Sequence, residues 1–268
     1  MGELFFPQLA SGALAQYPIQ KTRLVPTIKN VLLDGSMILA SELNFNPHAS
    51  RLLFQLSYSN LETADMQALQ AHFEACLGPL RAFTFIDPTD NMLASSSDLT
   101  ATGWQRGAIQ IVPGATDPNG DGEAFVLTNV SQASQGIVQT LAVPAHYQYC
   151  LSAYVTSTQA GSVVLSRTGT SASNSTVVQV GSSWTRVISS GRLNDGGTTF
   201  TAGLILMPGQ QVTVYGMQLE AQLQPSRYRA TRGMGGVYTR AHWAVDEFPI
   251  MAQAPNLFST SFSIETNV

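Results

Sequence analysis

Charge is scarce in this 268-residue chain: Asp, Glu, Lys and Arg make up 11% of it, against about 25% in ordinary soluble domains. Only two lysines occur, Lys21 and Lys29, and from Ala124 to Ser166 there is no charged side chain at all. A surface there must be built from Ser, Thr, Gln, Gly and Asn. Such faces suit extracellular or particle-borne β-domains and chains that bury much of their surface in an assembly. A net charge of -4 excludes a general nucleic-acid binder, which needs basic patches to neutralise phosphates. No apolar run reaches the roughly 18 residues of a membrane-spanning helix, so no membrane insertion is expected. The opening "MGELFFPQLASGALAQYP" lacks the basic head and long apolar core of a signal peptide, and Phe6 fills the Ser/Thr slot of a myristoylation signal. Cys76 and Cys150 are the only cysteines and fall in different segments, which predicts free thiols and folding in a reducing cytosol.

Catalytic signatures are also missing. There is no G-x-S-x-G elbow, Walker loop or G-x-G-x-x-G, and His48, His72, His146 and His242 show no metal-ligand spacing. Glycoside hydrolysis needs two carboxylates facing one cleft. Asp246 and Glu247 are adjacent, and adjacent residues on a strand point to opposite faces. The expectation is a protein without enzyme activity and without a cofactor, apart from a structural calcium considered below.

What is present is mostly strand-like. One segment, "SNLETADMQALQAHFEACLGP", reads as helix: Ser59 and Glu62 have capping-box spacing, and Met66, Leu69, Phe73 and Cys76 or Leu77 form an apolar stripe. Gly78 and Pro79 should end it. "NVLLDGSMILA" carries Asp34-Gly35 between apolar runs, a hairpin signal. "RLLFQLSYS" and "LRAFTFIDP" alternate with period two. After "DPTDNMLASSSDLTATGW" a long series of short β segments follows, separated by Gly, Pro, Asn and Asp clusters, which is the pattern of an antiparallel sandwich or jelly roll. The last strand, with Phe262 and Ile264 on one face, must pair with something. Its simplest partner is the first unit. Residues 93–232 then form an insertion in a discontinuous domain made of 1–92 and 233–268.

Together, "FFPQLASGALAQYPIQKT", the Asp-Gly hairpin, the helix, "GPLRAFTFIDPTDN" and the terminal "FSIETNV" resemble the distal tail proteins of tailed phages and gene-transfer agents. The insert is similar to the jelly-roll, carbohydrate-binding-like modules of phage tail proteins, through Gly216, Gln218, Leu219 and Glu220 followed by Pro225, Ser226 and Tyr228. These positions maintain a fold and name no ligand. The resemblance implies a mainly β chain: a discontinuous β-barrel domain with one helix, plus the inserted jelly roll facing outward. It also implies a homo-oligomeric ring of sixfold symmetry, a hexamer. That ring would lie in the baseplate region of a virion tail tip, between the tail tube protein and the hub, and be assembled in the bacterial host cytoplasm. The insert would contact host-surface polysaccharide. The alternatives are a free carbohydrate-binding protein and a tail-associated enzyme that degrades polysaccharide.

Three sets of candidate residues follow. "DPNGDGEAFVLT" places Asp117, Asn119, Asp121 and Gly122 as in the first half of an EF-hand loop, but position 12 is Thr128, which offers no bidentate carboxylate, and the flank alternates as a strand. An EF-hand is excluded; a looser calcium site on Asp117, Asp121 and Glu123 stays open beside the favoured reading of a plain Asx-rich turn. Trp104 and Trp184 follow Ser/Gly segments and could present rings to a glycan, with Tyr147, Tyr149, Tyr154 and Tyr215 as further aromatic residues or as core. Phe5 and Phe6 open an apolar arm expected to pack on a neighbouring subunit, and Arg227, Arg229 and Arg232 form a strip suited to an interface or a solvated linker.

Overall fold

The computed structural model describes residues 3–24, 32–33, 36–37 and 50–267. In chain order its elements begin with strands β1 (Gln20–Leu24), β2 (Leu32–Leu33), β3 (Ser36–Met37) and β4 (Arg51–Glu62), then helix α1 (Thr63–Cys76) and β5 (Phe83–Ile86). Next come β6 (Gln105–Arg106), β7 (Ile109–Ala115), β8 (Ala124–Asn129), β9 (Gln135–Leu141) and β10 (Tyr149–Thr156). They are followed by β11 (Gly161–Thr168), β12 (Ser173–Val180), β13 (Thr185–Gly191), β14 (Phe200–Leu206) and β15 (Gln211–Glu220). The chain closes with β16 (Val237–Trp243), β17 (Met251–Ala254) and β18 (Leu257–Asn267). The protein is mainly β, with one α-helix among the described residues. Both cysteines are buried free thiols.

The chain divides into two compact units. One takes residues Met1–Pro7, Ala15–Phe85 and Tyr238–Val268; the other takes Gln8–Leu14 and Ile86–Val237. The division therefore falls at 86 and 237 rather than at 93 and 232. Within the second unit the two linking segments are zipped together: Asp87 N–H donates to Gly236 O (2.8 Å), Gly236 N–H to Asn91 O (2.8 Å) and Ser95 N–H to Gly233 O (3.1 Å). A Cβ on Gly235 would lie 2.1 Å from Met92 O, so the glycine run marks close backbone approach rather than a loose hinge.

The first unit is a six-stranded sheet in the order β1-β4-β18-β16-β5, with β17 also paired to β18; the pairs β1–β4, β4–β18, β16–β18 and β17–β18 are antiparallel. The pairings described do not join the two ends of this path. The last strand does return to the first unit, in register from Leu257↔Glu62 to Asn267↔Arg51, with one bulge. Alternation along β4 buries Leu52, Phe54, Leu56 and Tyr58, and along β18 it buries Phe262 and Ile264. Met66, Leu69, His72 and Cys76 are the buried residues of α1, as a three- to four-residue spacing requires. Burying each large side chain contributes roughly 1.5–3 kcal/mol.

Three sequence expectations need correction in this unit. Ser59 does not cap the helix; β4 runs on to Glu62, which is the N-cap without a side-chain hydrogen bond. Leu77 is not in the apolar stripe but adopts the left-handed C-cap conformation and is exposed. The apolar arm is not free to pack on a neighbour. Residues 4–6 run beside β5, with Thr84 N–H donating to Leu4 O (2.8 Å) and Phe6 N–H to Thr84 O (2.9 Å). Phe6 is 1% exposed among the rings of His72, Phe83, Phe85, Trp243 and Phe262, while Phe5 is half-buried. Strands β2 and β3 pair through Leu33↔Ser36, but the expected turn residues Asp34 and Gly35 lie outside the described residues, as does His48.

The second unit is an antiparallel sandwich of two five-stranded sheets, β13-β10-β15-β8-β7 and β12-β11-β14-β9-β6. The arm residues 8–14 belong to it: the Gln8 side chain exchanges hydrogen bonds with the backbone of Gln148 (3.1 and 2.6 Å), and Leu9 and Leu14 are buried. Arg167 is 2% exposed and donates to Ser189 Oγ, Gly191 O, Asn174 Oδ1 and Ser190 O, so its buried charge rests on neutral acceptors.

Candidate functional site

The functional candidate lies wholly in the second unit, a cleft of about 220 Å³ beside β7, β8 and β15. Its lining includes Ser96, Ser97, Leu99, Glu123, Phe125, Tyr215, Tyr228 and Arg232. Tyr215 is placed by β15, where it stands opposite Tyr154 of β10. Their rings are 6.1 Å apart, and Tyr228 meets Tyr215 edge-on at 5.2 Å and 68°. Gly216 makes this possible. Its φ is +65°, and a Cβ there would stand 3.1 Å from Tyr228 Cγ and 3.3 Å from Tyr154 Cδ2.

The segment that delivers Tyr228 is tied down by polar residues of β15. Gln218 is fully buried and Glu220 is 5% exposed. Glu220 accepts from the Ser226 hydroxyl (2.5 Å), Ser226 N–H (3.0 Å) and Gln222 Nε2 (2.9 Å). Gln218 Oε1 accepts from Arg229 N–H (2.7 Å), and its Nε2 donates to Glu220 (2.7 Å). The Gln-Leu-Glu run and the Pro-Ser-x-Tyr exit thus act as one hydrogen-bonded clasp. The Tyr228 hydroxyl lies 3.1 Å from Ser96 Oγ, and burial pushes that phenol up to about 12.

The acidic loop forms the cleft's other wall. Asp117 is 3% exposed, and its two oxygens accept from Asn119 N–H (2.6 Å) and Glu123 N–H (2.9 Å). Burial alone would raise this carboxyl, but the N–H groups of Glu123, Asn119, Gly120 and Asp121 hold it below the usual carboxylate range. Asn119 Nδ2 donates to the Tyr215 hydroxyl (3.3 Å), and Glu123 lines the cleft. Burial, followed by the charges of Asp117, Glu123 and Asp121, raises the Tyr215 phenol. The calcium reading of Asp117, Asp121 and Glu123 is corrected here: Asp117 is spent on its own loop, and among the described residues no three His, Cys, Asp or Glu side chains converge as a metal site.

The aromatic expectation is corrected too. Trp104 is 3% exposed, and its Nε1 donates to Ser95 O (3.2 Å), so it is core and offers no face to a sugar. Trp184 is half-buried in the turn before β13 and does not line the cleft. The rings that assemble are tyrosines instead, and Tyr228 carries no signal in the sequence beyond its place in the exit motif. Of the arginine strip, Arg227, Arg229 and Arg232 are all exposed, and only Arg232 lines the cleft. Among the described residues Glu123 and Arg232 are its only charged groups, and apolar Leu99 and Phe125 lie beside the rings. Rings, a carboxylate and a guanidinium around a space of this size can stack on the C–H face of a sugar ring and pair with its hydroxyls.

No family model matches the chain, and no curated protein matches it. Among solved structures it is similar to the enzymatically active domain of tailspike protein 4 of bacteriophage CBA120, at 10% identity and a TM-score of 0.40 over 51% of this chain. It spans only 22% of that tailspike chain. It is also similar to the CBM22-1 xylan-binding domain of Paenibacillus barcinonensis Xyn10C, at 14% identity and a TM-score of 0.41, covering 50% of this chain and 97% of the other. A third likeness is the family 11 carbohydrate-binding module of Clostridium thermocellum Lic26A-Cel5E, at 12% identity and a TM-score of 0.37, covering 53% and 99%.

Proposed function

We propose that the second unit is a carbohydrate-binding module and that the first is an assembly module of a phage-like tail tip. The observation that carries the binding reading is the cleft, in which Tyr215 and Tyr228 stand beside Glu123 and Arg232. Binding without turnover is the reading for this site. Among the described residues Glu123 is the one carboxylate that lines it, whereas glycoside hydrolysis takes two. A glycan array probed with the full chain and with Y228A tests this. Selective binding lost in the variant is the expected result; no binding to any glycan overturns it.

The assembly reading rests on the sequence resemblance and on one structural observation. Strand β17 is exposed along its whole length and uncharged, with Met251 66% and the preceding Ile250 45% exposed. Exposed edges of this kind pair readily with a strand of another chain. On this reading copies of the chain close a ring through heterologous contacts, six by the resemblance, between tail tube and hub proteins of a virion, where the cleft meets host-surface polysaccharide. Electron microscopy of the purified chain at high concentration is the test. Rings support the reading, and a monomer that fails to join tail tubes contradicts it.

A further inference from the structure

Arg186, Tyr154 and Tyr215 occupy directly opposed positions on β13, β10 and β15, so the three side chains share one face of the sheet. The Arg186 guanidinium lies 5.2 Å from the Tyr154 ring centroid, and the Tyr154 and Tyr215 centroids are 6.1 Å apart. The row therefore runs from a cation across two rings to Tyr228 and the cleft. Arg186 is half-buried, and its Nη2 donates to Ser152 Oγ (3.1 Å). Its Nε has no acceptor, and no carboxylate of the described residues pairs with it. Removing part of a cation's hydration without a counter-charge is costly, and a bound anion offsets that cost.

The two ends of the row differ in charge. Glu123 and Arg232 line the cleft end, and Asp117 and Asp121 belong to the Glu123 loop, so carboxylates outnumber the single guanidinium and an anion is disfavoured there. At the other end, stacking on tyrosine leaves the planar guanidinium able to bind a carboxylate. We infer that the site takes an acidic oligosaccharide, with a uronate-type carboxylate on Arg186 and a neutral sugar ring in the cleft between Glu123 and Tyr228. This inference rests on the carbohydrate-binding reading and gives it a ligand class. It assigns Arg186 to specificity and the tyrosines to affinity for any chain.

The test is calorimetric titration of the full chain with an oligosaccharide of alternating glucuronate and N-acetylglucosamine, and with its carboxyl-reduced, neutral derivative. The acidic form should bind at least about tenfold more tightly, with the difference shrinking as salt rises. R186Q should abolish the preference for the acidic form, and R186K should keep part of it. A thermal melt of each variant confirms that the sandwich is intact. Equal binding of the two oligosaccharides, or a preference that survives in R186Q, overturns the inference while leaving the carbohydrate reading in place. Binding of neither overturns both.

Discussion

The rings of Tyr215 and Tyr228 meet edge-to-face across Gly216, with centroids 5.2 Å apart, although 13 positions separate them in sequence. The contact depends on a backbone conformation that only glycine adopts at little cost. G216A is therefore expected to cost roughly 1–2 kcal/mol from the left-handed backbone alone. It should also displace Tyr228, since the added Cβ falls 3.1 Å from its ring. Thermal melts and glycan titration should show both a lower Tm and weaker binding; an unchanged affinity would detach Tyr228 from the site.

The acidic loop should be indifferent to calcium. Asp117 holds its own turn through Asn119 and Glu123 N–H, so chelation with EDTA or addition of millimolar calcium should leave the Tm unchanged. D117A, in contrast, should loosen the loop and weaken binding at the cleft by removing support from Asn119 and Glu123. A calcium-dependent rise in Tm would restore the metal reading.

His72 makes the first unit sensitive to mild acid. Burial lowers its pKa from 6.5 to about 4. Between those values the unfolded chain binds a proton that the folded chain does not, so stability rises with pH. The contribution is complete above pH 6.5 and is lost as pH falls toward 4, a change on the order of 3 kcal/mol. H72L should flatten this dependence in calorimetric melts at pH 7.5, 5.5 and 4.5. An identical slope in wild type and variant would contradict the assignment.

Asp195 acts in a lower window and in the second unit. The N–H groups of Ser171, Gly197 and Ala172 hold its carboxyl at about 2. A depressed carboxylate contributes stability above its unfolded value of about 3.9, and that contribution disappears as pH falls to about 2. D195N should lower the Tm at pH 7 and shrink the loss of stability between pH 4 and 2. A variant with the wild-type acid profile would show that the loop does not depend on this charge.

Much of the fold was legible because period-two alternation and turn residues are local signals. The strands around Phe54, Phe83 and Phe262 follow directly from them, and so does the return of the last strand. The start of α1 was not legible. The Ser59–Glu62 spacing imitates a capping box, but pairing of β4 with β18 holds those residues in a strand. Phe6 looked like an exposed arm because its partners, His72, Trp243 and Phe262, are far away in sequence. The site failed for a similar reason. Trp104 and Trp184 stood out by residue type, whereas the tyrosines converge through the register Tyr154↔Tyr215 and the clasp of Gln218 and Glu220, which no local pattern reveals.

The most direct test of the account is the affinity of the full chain for surface polysaccharide fragments, measured beside Y215A and Y228A. The account predicts selective binding by the wild type, weakened at least about tenfold in each variant whose melt shows an intact sandwich, since aromatic contacts of this kind contribute roughly 1.5 kcal/mol or more. Wild-type affinity retained in both variants would place glycan recognition elsewhere on the chain, and absence of binding in the wild type would remove it altogether.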